Sequence, residues 1–71
     1  MNKYLVVIEK TGTGYSAYSP DIPGCVSTGR TKQAAKRNMR EAIEFHLEGL
    51  RLEGEEIPLP QSSSAYVPIA A

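Results

Sequence analysis

Short apolar runs separated by glycine and proline fill the first part of the chain and predict strands joined by tight turns. Residues 4–8, YLVVI, form a β-branched run that is apolar on both alternating faces, which is typical of a strand covered on both sides. Residues 10–14, KTGTG, predict a glycine-containing hairpin, and residues 15–19, YSAYS, predict the returning strand. A turn rich in proline and glycine at 20–24 precedes a third predicted strand at 25–29.

A long amphipathic helix is predicted after these strands. Thr31 is a suitable N-cap, and the helix should run from Lys32 to about Glu53. Gly54 then supplies the stop. At the helical repeat of about 100° per residue, one stripe is expected to face the sheet: Ala35, Met39, Ala42, Ile43, His46 and Leu50, with Leu47 at its margin.

The last part of the chain predicts an extended segment followed by one more strand. The prolines of residues 57–64, IPLPQSSS, favour polyproline II. Residues 65–69, AYVPI, are apolar, and Pro68 restricts such a strand to a sheet edge or to exchange between subunits. The predicted fold class is α+β with the order β-β-β-α-β: a three-stranded antiparallel sheet, a short extra strand and one long helix on one face.

An uncovered sheet face predicts self-association. One helix covers only one face of a small sheet, whereas the first strand is apolar on both. A domain of 71 residues is also only marginally stable alone, and oligomerisation is a common remedy. We therefore expect a homodimer or a higher homo-oligomer. The expected interface residues lie off the helix stripe or in the last predicted strand: Phe45, Leu52, Tyr66 and Val67.

Length and composition predict a single domain over residues 1–71, with a compact core at about 3–54 and an extended segment at 55–71. One cysteine excludes an internal disulfide and a cysteine metal cluster. The N-terminus does not resemble a signal peptide, and no stretch approaches the roughly 20 apolar residues of a membrane span. We expect a cytoplasmic protein without membrane contact.

Charge balances overall but is segregated along the helix. Eight basic and eight acidic residues give a formal net charge of zero, so there is no global attraction to nucleic acid. The first half of the helix is basic and the second half is acidic: Arg30, Lys32, Lys36, Arg37 and Arg40 precede Glu41, Glu44, Glu48 and Glu53. An ordinary solvated face explains such a run, and so does a basic patch that meets phosphate or an acidic partner.

The candidates for catalysis are weak. Cys25 and His46 supply a thiol and a base, but no third residue is evident to orient the base, and both fit core positions. Gly12, Gly14 and Ala17 spell GxGxxA after a strand, but a strand and not a helix follows, so the dinucleotide fingerprint lacks its context. No acidic residues converge on a metal site. We expect no enzyme, no metal and no cofactor.

The order of these features resembles the HicB-like antitoxin domain, the N-terminal part of the HicB antitoxin of HicA/HicB toxin–antitoxin modules. The resemblance covers about residues 4–60. Its most specific part is the string Asp21-x-Pro23-Gly24-Cys25-x-Ser27-x-Gly29 followed by Thr31, together with the stretch EGEEIP that ends at Pro58.

The resemblance implies a partial RNase H-like fold without RNase H catalysis, in a binding module that forms dimers or higher oligomers. Such antitoxins bind and mask HicA, a small basic toxin that cleaves mRNA, and a separate DNA-binding domain usually follows. Only eleven residues follow Pro60 here, so we expect a stand-alone form that lacks the DNA-binding domain. We do not expect this chain alone to bind DNA.

The function expected from these observations is a non-catalytic, antitoxin-like protein that neutralises a HicA-type toxin by occlusion. An orphan regulator or a phosphate- or nucleic-acid-binding module that uses the basic half of the helix is the alternative. The residues expected to contact a partner lie at the tip of the second turn and on that half of the helix: Asp21, Ile22, Lys36, Arg37 and Arg40.

Overall fold

Three antiparallel strands and one long helix form the regular structure of the chain. The computed structural model describes residues 2–71, so Met1 of the predicted domain lies outside the described residues. The elements are β1 (Val7–Lys10), β2 (Tyr15–Tyr18), β3 (Val26–Gly29) and α1 (Lys32–Leu52). The strands lie in the order β1-β2-β3, with β2 in the centre. The predicted α+β fold class is confirmed.

The strand register separates a helix-facing side of the sheet from an open side. Ala17 pairs with Ile8 and with Ser27, and Ala17 and Ile8 belong to or pack against the buried core under α1. One position further along β2, Tyr18 pairs with Val7 and with Val26 on the opposite face. Val26 is 68% exposed, so this face carries an uncovered apolar row.

The first strand starts later than its apolar run predicts. Pairing begins at Val7, which lies opposite Tyr18, the last residue of β2. Beyond that point the second strand leads into Pro20, which has no N–H to donate to a ladder. Residues 4–6 therefore continue β1 without a strand partner, although Tyr4 and Val6 still pack against the core.

The helix has the predicted boundaries to within one residue. The Thr31 side chain accepts a hydrogen bond from the Ala34 N–H at 3.0 Å, as an N-cap does. At the other end, Gly54 has φ +72°, and the Glu55 N–H donates to the Leu50 carbonyl at 2.9 Å. This left-handed glycine satisfies the final carbonyls and ends the helix.

The predicted stripe faces the sheet. Ala35, Met39 and Ile43 are buried, and the other stripe residues are half-buried. Two hydrogen bonds join α1 to β3: the Ser27 hydroxyl donates to the Ala35 carbonyl at 3.2 Å, and the Asn38 side-chain amide donates to the Thr28 carbonyl at 2.8 Å. The helix axis is thereby fixed over β3 and β2.

The predicted fourth strand is not formed, which corrects that part of the fold prediction. Within residues 2–71, no strand follows α1. Residues 57–62 instead cross the strand ends as an irregular segment, which the Tyr4 hydroxyl holds through a 2.6 Å bond to the Pro58 carbonyl. The side chains of residues 65–69 are exposed, and a strand cannot form without a neighbouring edge to pair with.

Candidate functional site

The turn between β2 and β3 is folded inward around Ile22. The Ile22 N–H donates to the Ser19 carbonyl and the Cys25 N–H donates to the Ile22 carbonyl, at 3.2 and 3.3 Å. Gly24, at φ +80°, permits the reversal. Ile22 is fully buried, with 0% of its surface exposed. The expectation that Ile22 lies at an exposed tip is therefore wrong, because the turn directs this large apolar side chain into the core.

Asp21 is engaged within the chain, and its part in partner binding stays a prediction. One carboxylate oxygen accepts hydrogen bonds from the Gln61 and Ser62 N–H groups at 3.0 and 2.9 Å, and the other accepts from the Ser62 hydroxyl at 2.9 Å. Asp21 thus anchors the end of the segment that Tyr4 holds at Pro58. Sequence reasoning missed this contact because the partners lie 41 positions apart and no local pattern links them.

The hydrogen bonds to Asp21 lower the pKa of its carboxyl, with the Ser62 N–H as the first cause and the Gln61 N–H as the second. A lowered folded-state pKa means that the stabilising contribution is present above the ordinary value of 3.8 and is lost as the pH falls through the folded-state pKa.

We expect the Gln61 and Ser62 amide NMR signals to move together as the pH falls below 3.8, because protonation of Asp21 releases both donors. In Asp21→Asn the same signals should not titrate in this range. Titration of these amides at or above pH 3.8 in the natural protein would contradict the contact.

The basic residues expected to bind a partner lie on the exposed side of α1. Lys36, Arg37 and Arg40 are all exposed. Arg40 forms an ion pair with Glu44 at 3.7 Å, and both side chains are largely solvated, so the pair contributes only a few tenths of a kcal/mol. The five predicted contact residues therefore do not form one cluster: these three share one helix, whereas Asp21 and Ile22 lie in the turn between β2 and β3.

An apolar and acidic strip runs along the outer side of the second half of α1. Glu41, Phe45, Glu48 and Leu52 follow one another at spacings of four, three and four residues, which align side chains on one helix face. Phe45 is 84% exposed and Leu52 is 79% exposed. We call these four residues the outer strip. Glu48 forms an ion pair with Arg51. Large apolar groups this exposed are typical of a protein-contact surface.

Tyr66 and Val67, the other two residues expected at an oligomer interface, lie elsewhere. Both belong to the exposed C-terminal stretch beyond Ser62, and Val67 is 70% exposed. The four predicted interface residues thus occupy two separate surfaces, the outer strip and this stretch. Their part in an oligomer stays a prediction.

Cys25 belongs to the core, as its position after the turn predicts. It is 6% exposed, and burial raises the pKa of its thiol, which disfavours the thiolate that a nucleophile needs. Gly14 of the GxGxxA string precedes β2, and a Cβ there would lie 2.5 Å from the Gly29 carbonyl oxygen. Its small size therefore permits the close approach of the chain at Gly14 to the end of β3.

The described part of the chain has neither a cluster of metal ligands nor a membrane-spanning helix. Among residues 2–71, His, Cys, Asp and Glu side chains do not gather in groups of three that could hold a metal ion. Over the same residues, α1 is too polar to cross a bilayer.

Comparison with known proteins identifies the family. Residues 4–68 match the family model described as a HicB-like antitoxin of bacterial toxin–antitoxin systems. A UPF0150 protein of Helicobacter pylori is 44% identical over 64 residues, which cover 89% of this chain and 86% of that protein. An uncharacterized 14.9 kDa protein of Haemophilus phage HP1 is 42% identical over 64 residues, or 90% of this chain and 48% of the phage protein. The chain thus spans about half the length of that phage relative.

A solved structure agrees with the family match. A chain of the HicA3 and HicB3 toxin–antitoxin complex superimposes with a TM-score of 0.72 at 38% identity, over 84% of this chain and 70% of that chain. The fold and the sequence therefore agree over most of the residues described above. The chain belongs to the HicB-like antitoxin family of bacterial toxin–antitoxin systems.

Proposed function

We propose that this chain neutralises a HicA-type mRNA-cleaving toxin by covering it through direct protein–protein contact, without catalysing a reaction itself. The observation that carries the proposal is the family match over residues 4–68. The likeness to a chain of a HicA3 and HicB3 complex supports it. Because such a toxin acts on mRNA, the encounter would take place in the cytoplasm.

The outer strip is the surface that suits such a toxin best. The toxin expected from the family resemblance is small and basic. The strip offers the carboxylates of Glu41 and of Glu48, the latter exposed but paired with Arg51, beside two apolar anchors, Phe45 and Leu52. Exposed aromatic anchors supply much of the binding energy of an interface, and complementary charge guides the encounter. A symmetric contact of the strip with a second copy would bring carboxylates against carboxylates. We therefore assign the strip to the toxin and not to self-association.

The basic patch of Lys36, Arg37 and Arg40 belongs to the alternative function. A basic toxin would be repelled there, whereas RNA or DNA phosphates would be attracted. A regulator that uses this patch would bind nucleic acid with an affinity that falls steeply with salt. The two functions therefore depend on different charges of the same helix.

Variants of the two charge sets separate these functions. The partner used is the small basic product of a reading frame that neighbours the gene, purified as an inactive toxin variant. We expect Phe45→Ala to weaken its binding by about tenfold or more, because truncation of a central aromatic anchor commonly costs over 1–2 kcal/mol. Glu41→Gln combined with Glu48→Gln should slow association, measured by surface plasmon resonance.

The matched control is Lys36→Gln combined with Arg37→Gln, which removes two charges of the other sign from the same helix. We expect this control to bind the basic partner as well as the natural chain does or better. Loss of binding in the control with full binding by Phe45→Ala would refute the assignment of the strip. Tight, salt-dependent RNA binding that the control abolishes, without binding of the basic partner, would favour the alternative function.

A further inference from the structure

The C-terminal stretch of the chain is an apolar arm that stays exposed on residues 2–71 of its own copy. Residues 65–69, AYVPI, carry no charge, and Tyr66, Val67 and Ile69 are all exposed. The longest dimension of the molecule is 49 Å, against about 31 Å for a 21-residue helix such as α1. Exposed β-branched and aromatic residues in an extended segment are the composition of a β-strand without a partner. We call residues 65–69 the arm.

The outer edge of β1 is the complementary feature. β1 is a terminal strand of the sheet, so one row of its backbone N–H and C=O groups faces away from β2, and no strand within residues 2–71 pairs with it. Beside it, a cleft of about 400 Å³ opens between the β1 side and α1. Its floor is apolar, with Tyr4, Val6, Ile43 and Leu47, and Lys36 and Glu44 are among the residues that line it. An added strand would hydrogen-bond to the edge and insert alternate side chains into this cleft.

The arm is held away from the edge of its own copy. Pro58 lies beside β1, at Tyr4, but the chain then runs to Asp21 in the turn between β2 and β3, where Ser62 is bound. That turn is on the side of β2 remote from the β1 edge. To reach its own edge, the arm would have to fold back along residues 58–62 immediately after the Asp21 anchor. A second copy can receive it without that reversal.

We propose that the arm of each copy adds as a strand to the β1 edge of a second copy, so that two copies exchange arms in a symmetric dimer. Strand alternation places Val67 and Ile69 on one face of the arm, toward the cleft, and Tyr66 with Pro68 on the other. Pro68 lacks an N–H, so it fits the arm only where its nitrogen faces away from the β1 edge, as for proline in any edge strand. The dimer thereby supplies the fourth strand that is absent from the isolated copy.

The composition of the arm and the size of the contact agree with docking of the arm of a second copy. The arm is uncharged, so it brings no charge of its own against the apolar floor of the cleft, which Lys36, Arg40 and Glu44 also line. Two exchanged arms of five residues, counted with the surfaces that receive them, bury an area on the order of the 1,200–2,000 Å² of a specific interface. The outer strip stays exposed in the dimer, so the inference is independent of toxin binding.

Two matched valine variants test the exchange by sedimentation velocity of the full chain alone at micromolar concentration. The natural chain should sediment as a dimer, at twice the 7.7 kDa chain mass. Val67 in the arm is 70% exposed, and Val26 on the open sheet face is 68% exposed. The same substitution to aspartate therefore probes the arm in Val67→Asp and the open sheet face in Val26→Asp. We expect Val67→Asp to raise the dimer dissociation constant about tenfold or more. Val26→Asp should leave it within about twofold.

Isotope-filtered NMR on a mixture of labelled and unlabelled chains locates the contact. We expect intermolecular NOEs from the Val67 and Ile69 methyl groups of one copy to Val6 and Ile43 of the other. A monomeric natural chain would overturn the proposal, and so would a dimer that Val26→Asp dissociates and Val67→Asp does not. Because no toxin is present, failure here leaves the proposed function untouched, and loss of toxin binding leaves the dimer untouched.

Discussion

Gly29→Ala is expected to destabilise the protein by about 3 kcal/mol, at the upper end of the usual cost of overpacking. A Cβ at Gly29 would lie 2.4 Å from the Ala35 backbone nitrogen and 2.8 Å from the Ala34 carbonyl carbon. Both atoms belong to the first turns of α1, so no side chain can rotate away. The Thr31 cap and the Ser27–Ala35 hydrogen bond hold this part of the helix against β3. The clash of the added Cβ with the helix backbone can therefore be removed only if the helix moves off the sheet.

The matched control is the same substitution at Gly49, where a Cβ would meet nothing within 4 Å. Gly49 lies inside α1, so alanine there should stabilise the protein by roughly 0.5–1 kcal/mol. Urea unfolding followed by circular dichroism measures both changes. For a chain of 71 residues, with a total stability of roughly 4–10 kcal/mol, the two variants should have clearly separated midpoints. Equal effects of the two substitutions would show that α1 does not press on β3 at Gly29.

Ile22→Ala is expected to cost about 2–4 kcal/mol of unfolding free energy, as truncation of a buried isoleucine does. Ile22 is one of the two largest fully buried side chains, with Met39. Its position in a turn gives it little local structure to compensate, and the turn closes around it through the Ser19 and Cys25 hydrogen bonds. Loss of the side chain should therefore loosen the whole turn between β2 and β3.

Leu52→Ala provides the comparison, because Leu52 is 79% exposed at the end of α1. We expect its unfolding free energy to stay within about 0.5 kcal/mol of the natural value. Thermal and urea unfolding of the two variants distinguish a core residue from a contact residue. If Ile22→Ala kept full stability and lost toxin binding, Ile22 would be the partner-binding residue that the sequence pattern first indicated.

Local patterns were sufficient for the strands, the helix and most of the core. The apolar stripe of α1 identified Ala35, Met39 and Ile43 because helical periodicity needs no knowledge of distant residues. Thr31 and Gly54 predicted the helix ends because capping is decided within a few residues. Cys25 was predicted to point inward for the same reason, since it directly follows a turn glycine.

The features that sequence analysis missed depend on contacts far apart in the chain or on the exact path of a turn. Asp21 looked free because nothing near it in sequence reveals that Ser62 returns to it. Ile22 looked exposed because a turn rich in proline normally projects outward, and only the Ser19 and Cys25 hydrogen bonds fold it in. The fourth strand was expected from composition, but composition does not specify which edge receives it.

The two attachments of residues 57–62 also separate this protein into parts that acquire structure at different times. The hairpins and the step from β3 into α1 join neighbours in sequence, and such local contacts form quickly. The Tyr4–Pro58 and Asp21–Ser62 bonds close loops of 54 and 41 positions, so they form after the rest. They rest on few buried groups, and the segment can therefore open while the sheet and helix remain intact. A protease would cut in this segment and in the exposed stretch that follows it before it reached the sheet or the helix, and the folded body would outlast the cut.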